Sequence, residues 1–242
     1  MPKPHILLIF IAHFLTIKTM TMPRFNAFFM IHKGLRAMMY DVSLSLQHAD
    51  FSHEYPHALE RLEHVLEIFD AHAGHEDNFL FPLLESCDPA LQEDMEKEHV
   101  TDIALSNELR SLMTSFKSAA STDEKRALGS KICYTYYEFI AFNLIHLNKE
   151  EIVVNGSLWK HYEDEEIIKA NMSMIATLTP EEVKRNAIWM MRGCSNPDII
   201  GWLGMVKRQA PEQVLKLLLS IAEEELPSQR FEAVQNAVME MV

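Results

Sequence analysis

A histidine precedes a glutamate by four residues at His72 and Glu76 in FDAHAGHEDNFLFPLL, and the same spacing recurs at His146 and Glu150 in HLNKEE. On an α-helix that interval stacks an imidazole and a carboxylate on one face, one turn apart, where both reach a single metal ion. Lone histidines at His32 and His99 fall in two other segments of helical apolar periodicity. Four candidate helices thus each carry a ligand type, and the chemistry they share is cation coordination. A single histidine on an apolar helix face is ordinarily a core or surface residue. The joint pattern is what singles out these six.

The elements that must position them follow from stripe and cap. Helix A begins near Phe25, and Phe28, Phe29, Ile31, Leu35, Met38, Met39, Val42 and Leu46 give it a wide apolar stripe ending near Gln47. Pro56 suits the first turn of helix B, whose stripe of Leu59, Leu62, Leu66 and Phe69 continues past Gly74 to about Glu85. Asp88-Pro89 opens helix C, which runs to about Phe116. Ser121-Thr122-Asp123-Glu124 is a capping box that opens helix D, from about Thr122 to Val154, with Gly156 as the expected stop. Four long helices on short connections predict an antiparallel, up-down four-helix bundle.

Whether the ligands meet is decided by counting outward from each turn, because residues equally far from an antiparallel connection sit at one height. Fifteen residues separate His32 from Gln47, and fifteen separate His57 from His72, about 22 Å of rise on each side. Glu76 stands eleven positions before Cys87, against ten from Pro89 to His99; His99 stands 21 before Ala120, against 22 from Glu124 to His146. All three turns bring the candidates to one level.

Composition narrows the class. The 242 residues are 48% hydrophobic with only 7 glycines, which favours an all-α protein. A formal net charge of −13 repels phosphate backbones and anionic membrane surfaces, so neither nucleic acid nor a membrane is an expected partner. The apolar run from Ile6 to Ile17 is shorter than the roughly 20 residues a bilayer demands. Residues 1–22 read as an N-terminal extension, residues 23–160 as the metal-binding bundle, and residues 161–242 as a C-terminal helical extension with a possible homodimer contact. In that last third Asp164, Thr179-Pro180-Glu181-Glu182, Asn196-Pro197, Ala210-Pro211 and Pro227 each open a helix, and stripes such as Val214, Leu217, Leu218 and Ile221 require a partner surface. Three scattered cysteines, Cys87, Cys133 and Cys194, form no metal or disulfide spacing and suit a reducing cytoplasm.

The ordered set His32, His72 with Glu76, His99, and His146 with Glu150 resembles the hemerythrin-like (HHE cation-binding) proteins, over about Phe25 to Tyr162. The resemblance implies two iron ions in a non-heme centre that binds dioxygen, nitric oxide or peroxide, with Glu76 and Glu150 placed to span the ions. These ligand types accept manganese and zinc as well. Members with two histidines on the third helix space them four apart, whereas Met95 and Ile103 flank His99 here. His75 is a candidate for the missing ligand and Glu151 a substitute for Glu150; His48, His53, His57, His64 and His161 read as solvated or capping residues.

These readings lead to a protein that binds or senses a small oxidant, or takes part in iron and oxidant handling. A di-iron oxidase or peroxidase is the alternative within enzymes, and a metal-free helical interaction scaffold is the alternative outside metal chemistry.

Overall fold

Asp88 accepts from the N–H of Leu91 at 3.3 Å and Ser121 from that of Glu124 at 3.2 Å, so two of the predicted helix starts are in place as local hydrogen bonds. The computed structural model describes residues 24–53 and 56–241. The expected extension at residues 1–22 lies outside them. All described secondary structure is helical, and no helix among the described residues is long and apolar enough to cross a membrane. Contacts divide the chain into two units, residues 38–160 and the residues up to Ala37 together with those from His161 on.

The first of these units holds most of α1 (Phe29–Gln47), then α2 (His57–Phe79), α3 (Phe81–Cys87), α4 (Pro89–Ser118), α5 (Thr122–Lys149) and a π-helical turn at Glu150–Val154 that leads into α6 (Asn155–His161). Cross-helix bonds fix the register. On α2 and α4, Glu63 and Asp70 meet Arg110 while Asp77 meets His99. On α4 and α5, Asp94 meets Lys149, Glu98 meets His146 and Asp102 meets Asn143. On α5 and α1, the Cys133 thiol and the Tyr136 hydroxyl reach the carbonyls of Leu46 and Met39. Rising numbers on one helix meet falling numbers on its neighbour each time, so these neighbours run antiparallel. Their inner faces bury Val42 and Leu46, Leu62, Leu66 and Phe69, Leu109 and Met113, and Ile132 and Phe139, with Phe69 set edge-on to Phe139 at 5.2 Å.

Two breaks differ from expectation, and both bear on the ligands. Helix B does not run unbroken to Glu85; it stops at Phe79, and α3 restarts at Phe81. Pro82 supplies no N–H and its ring collides with the carbonyl one turn back, so α2 cannot continue through it. Helix D, in turn, does not end at Gly156. The N–H of Asn155 reaches back five residues to the carbonyl of Glu150, the signature of a π turn, and the helix resumes as far as His161. Continuing buries Leu158 and brings the Ser157 hydroxyl to Asp88 at 3.0 Å, gains that a stop at Gly156 would forgo.

The second unit is built from α7 (Asp164–Ile175), α8 (Pro180–Gly193), α9 (Asn196–Gln209), α10 (Glu212–Glu225) and α11 (Ser228–Glu240) with the start of α1. Reciprocal capping boxes join Thr179 with Glu182 and Ser195 with Asp198. Asp164, read as a cap, instead binds the Arg24 guanidinium at 2.6 Å, and Glu163 caps α7 with Glu166. The apolar stripes find their partner surface in one another: Met191, Ile199, Leu203, Ala222, Val234 and Val238 form a core of their own.

Candidate metal centre

Glu76 sits on the buried face of α2 and is 3% exposed; Glu150 opens the π turn and is 0% exposed. Two carboxylates at such depth carry a desolvation cost of several kcal/mol each unless cations or donors face them. What faces them here is imidazole. His72 Nε2 lies 3.2 Å from Oε1 of Glu76, while His99 Nε2 lies 3.5 Å from its Oε2. His146 Nε2 and His99 Nε2 approach Oε1 of Glu150 at 3.2 and 3.8 Å. The two oxygens of Glu76 are thus shared between two different histidines, as a carboxylate spanning two ions would require.

Donor atoms of Glu76, His99, His146 and Glu150 all lie within 4.8 Å of one another, and those of His72, Glu76 and Glu150 do likewise. Bonds of about 2.0–2.2 Å to one ion set adjacent donors about 3–3.5 Å apart. The observed spacings are of that size. His99 Nε2 is buried without a hydrogen bond, pointing at two carboxylate oxygens just beyond bonding reach. This donor set fits a divalent cation.

Each deep imidazole is gripped from behind. His99 Nδ1 donates to Asp77 Oδ1 at 2.8 Å and His146 Nδ1 to Glu98 Oε2 at 2.7 Å, while Lys149 Nζ donates to both Glu98 and Asp94 at 2.5 Å. Phe81 stacks on His99 at 5.0 Å and 13°, and Phe142 on His146 at 5.9 Å and 11°. Phe81 opens α3 directly after the break and is buried. Burial lowers the basicity of both rings, but the carboxylates outweigh it: Asp77, Glu150 and Glu76 push His99 up to about 12, and Glu150, Glu76 and Glu98 push His146 up to about 9. One turn along, Asp102 and Asn143 form a buried pair at 2.6 Å, and burial raises the Asp102 carboxyl.

Of the residues singled out in the sequence, His72, Glu76, His99, His146 and Glu150 are brought together within one unit. His32 is fully buried on the first turns of α1, beside Phe28 at 5.1 Å, in the stretch that clusters with the other unit. His75 and Glu151 are half-buried and contribute no atom to either donor group. Of the positions flanking His99, Met95 is buried in the core and Ile103 is 44% exposed. Asp77 and Glu98 were missed by the sequence reading, although the same height count finds them. Ten residues separate Asp77 from Cys87 and ten separate Pro89 from His99; 22 separate Glu98 from Ala120 and 22 separate Glu124 from His146.

Comparison with known proteins adds one finding: the family model described as hemerythrin HHE cation binding domain matches residues 25–156. No curated protein and no solved structure gives a significant match.

Proposed function

This chain belongs to the hemerythrin family of HHE cation-binding domains, and from that premise we propose that it holds two non-heme iron ions and binds or senses dioxygen, nitric oxide or peroxide at them. The observation that carries the reading is the split carboxylate of Glu76, one oxygen toward His72 and the other toward His99. One ion would take Glu76, His99, His146 and Glu150. The other would take His72 with the same two carboxylates and, by the height count from the first turn, His32.

Iron held there supplies reversible binding and electron exchange with a small oxidant. The chain's own residues do the rest: Glu76 and Glu150 would hold the iron between them, Asp77 and Glu98 orient the imidazoles, and Phe81 and Phe142 keep bulk water off the rings. With Met95 and Ile103 beside His99, the third helix gives one histidine, which leaves room for an exogenous ligand. Three cysteines, Cys87, Cys133 and Cys194, scattered through the sequence without a disulfide or metal spacing, suit a reducing compartment, and on that ground we infer the cytoplasm.

The test is elemental analysis with an absorption spectrum of protein grown with iron. Two irons per chain and an optical change that reverses when oxygen or nitric oxide is removed would support the reading. Rapid consumption of peroxide would move it to the oxidase or peroxidase class. A metal-free chain whose stability ignores chelators would end it.

A further inference from the structure

The geometry points to a second copy of this chain as the partner of the outer face of α5, packed antiparallel across a two-fold axis at the level of Asn143. The inference stands apart from the metal-binding reading, and every residue of the seam it uses lies in the unit of residues 38–160.

Tyr134, Glu138, Ala141, Ile145, Asn148 and Ile152 are all exposed, and they recur at alternating intervals of four and three along α5 and into the π turn. That alternation makes one seam on a helix, the pattern by which two helices pack side by side. Its large apolar members are far from buried: Tyr134 is 68%, Ile145 71% and Ile152 72% exposed. Tyr134 also meets the half-buried Tyr137 edge-on at 6.4 Å, which widens the strip. From Tyr134 to Ile152 is 18 residues, about 27 Å of helix. An exposed apolar strip of that length, with aromatic content and polar neighbours, marks a protein contact.

What fits the seam is the seam itself. Pairing residues equally far from Asn143 on two antiparallel copies sets Tyr134 against Ile152, Ala141 against Ile145 and Glu138 against Asn148. Each apolar side chain then meets an apolar one, the small Ala141 makes room for the branched Ile145, and the Asn148 amide donates to the Glu138 carboxylate. A parallel pair would instead oppose Glu138 to its own copy, two like charges in one layer. Two-fold pairing of this kind closes on itself, so it stops at a dimer. The C-terminal stripe is already occupied: of Val214, Leu217, Leu218 and Ile221, Leu217 alone is exposed, and the others lie in or against the core that those helices make together.

Sedimentation equilibrium of the purified full chain tests this, with circular dichroism to establish that each variant is folded. The unmodified chain, 27.9 kDa, is expected to reach twice that mass as its concentration rises. Ile145→Glu should weaken association by about tenfold or more, and Leu217→Glu on α10 should leave it unchanged. Asn148→Asp, which opposes two carboxylates, should weaken it likewise, and Glu138→Lys added to Asn148→Asp should restore it. Monomer mass at every concentration up to about 0.1 mM, a dimer that folded Ile145→Glu leaves intact, or a dimer lost only with Leu217→Glu would overturn the inference. No recovery in the double variant would overturn the antiparallel pairing.

Discussion

His99 Nδ1 lies 2.8 Å from Oδ1 of Asp77 on the facing helix, and this contact joins a surface to a core. Asp77 is 41% exposed at its side chain, whereas His99 is 4% exposed. A half-wet carboxylate therefore sets the orientation of a dry imidazole, and the ring's other nitrogen is aimed between Glu76 and Glu150. The same plan recurs between Glu98 and His146. Ligand geometry is thus decided on the outside of the bundle as much as on the inside.

Removing Glu150, one of the two carboxylates shared by both donor groups, should be costlier than removing its neighbour. Glu150→Ala takes an oxygen from every candidate ion position, whereas the Glu151 side chain belongs to neither group. Metal content is expected to fall to near zero in the first variant and to stay at the parent value in Glu151→Ala. Equal metal content in both would show that the π turn places the wrong glutamate.

Gly74 lies inside α2 with open space where a Cβ would be added. Glycine in a helix interior costs about 0.5–1 kcal/mol against alanine. Gly74→Ala should therefore raise the unfolding free energy by about 0.5–1 kcal/mol, read as a higher denaturation midpoint, without altering metal content. A loss of stability would mean that the helix bends there.

Gly129 is the opposite case. A Cβ on it would stand 2.2 Å from Cγ of Phe51, whose ring meets Phe116 edge-on at 5.8 Å. Gly129→Ala should cost about 1–3 kcal/mol by overpacking, read as a lowered midpoint in urea. An unchanged midpoint would mean that the Phe51 loop yields at no cost.

How much of this was legible beforehand follows from what periodicity can and cannot encode. His72, Glu76, His146 and Glu150 announce themselves because a four-residue interval is a property of one helix. Their meeting with His99 needed only lengths, since antiparallel helices convert sequence distance into height. The break at Pro82 was visible as a residue but was overridden by an apolar stripe that ran on through it. The π turn at Glu150 leaves no signature that periodicity reads, although beyond it the helix runs on to bury Leu158 and to bring Ser157 to Asp88. Asp77 and Glu98 hid for another reason: an acidic residue next to a ligand looks like solvated surface until the facing helix is known.

Protons and cations compete for the same imidazoles, and the pH dependence of stability should show it. With carboxylates around them His99 is raised to about 12 and His146 to about 9, against 6.5 for the unperturbed group. A base that is stronger in the folded chain stabilises it by holding its proton there. That contribution is complete below about pH 6.5, and is lost as pH climbs through about 9 for His146 and on toward 12 for His99. Chelated protein is therefore expected to lose stability steadily between about pH 6.5 and 9. A bound cation reverses the trend, because it needs the imidazoles deprotonated and gains affinity as protons leave. Denaturation at pH 6.5, 7.5 and 9 should show the gap between metal-loaded and chelated chain widening with pH, and His146→Gln should flatten the slope of the chelated form. A chelated chain whose stability holds level or rises across that interval would mean that the carboxylates do not hold these protons.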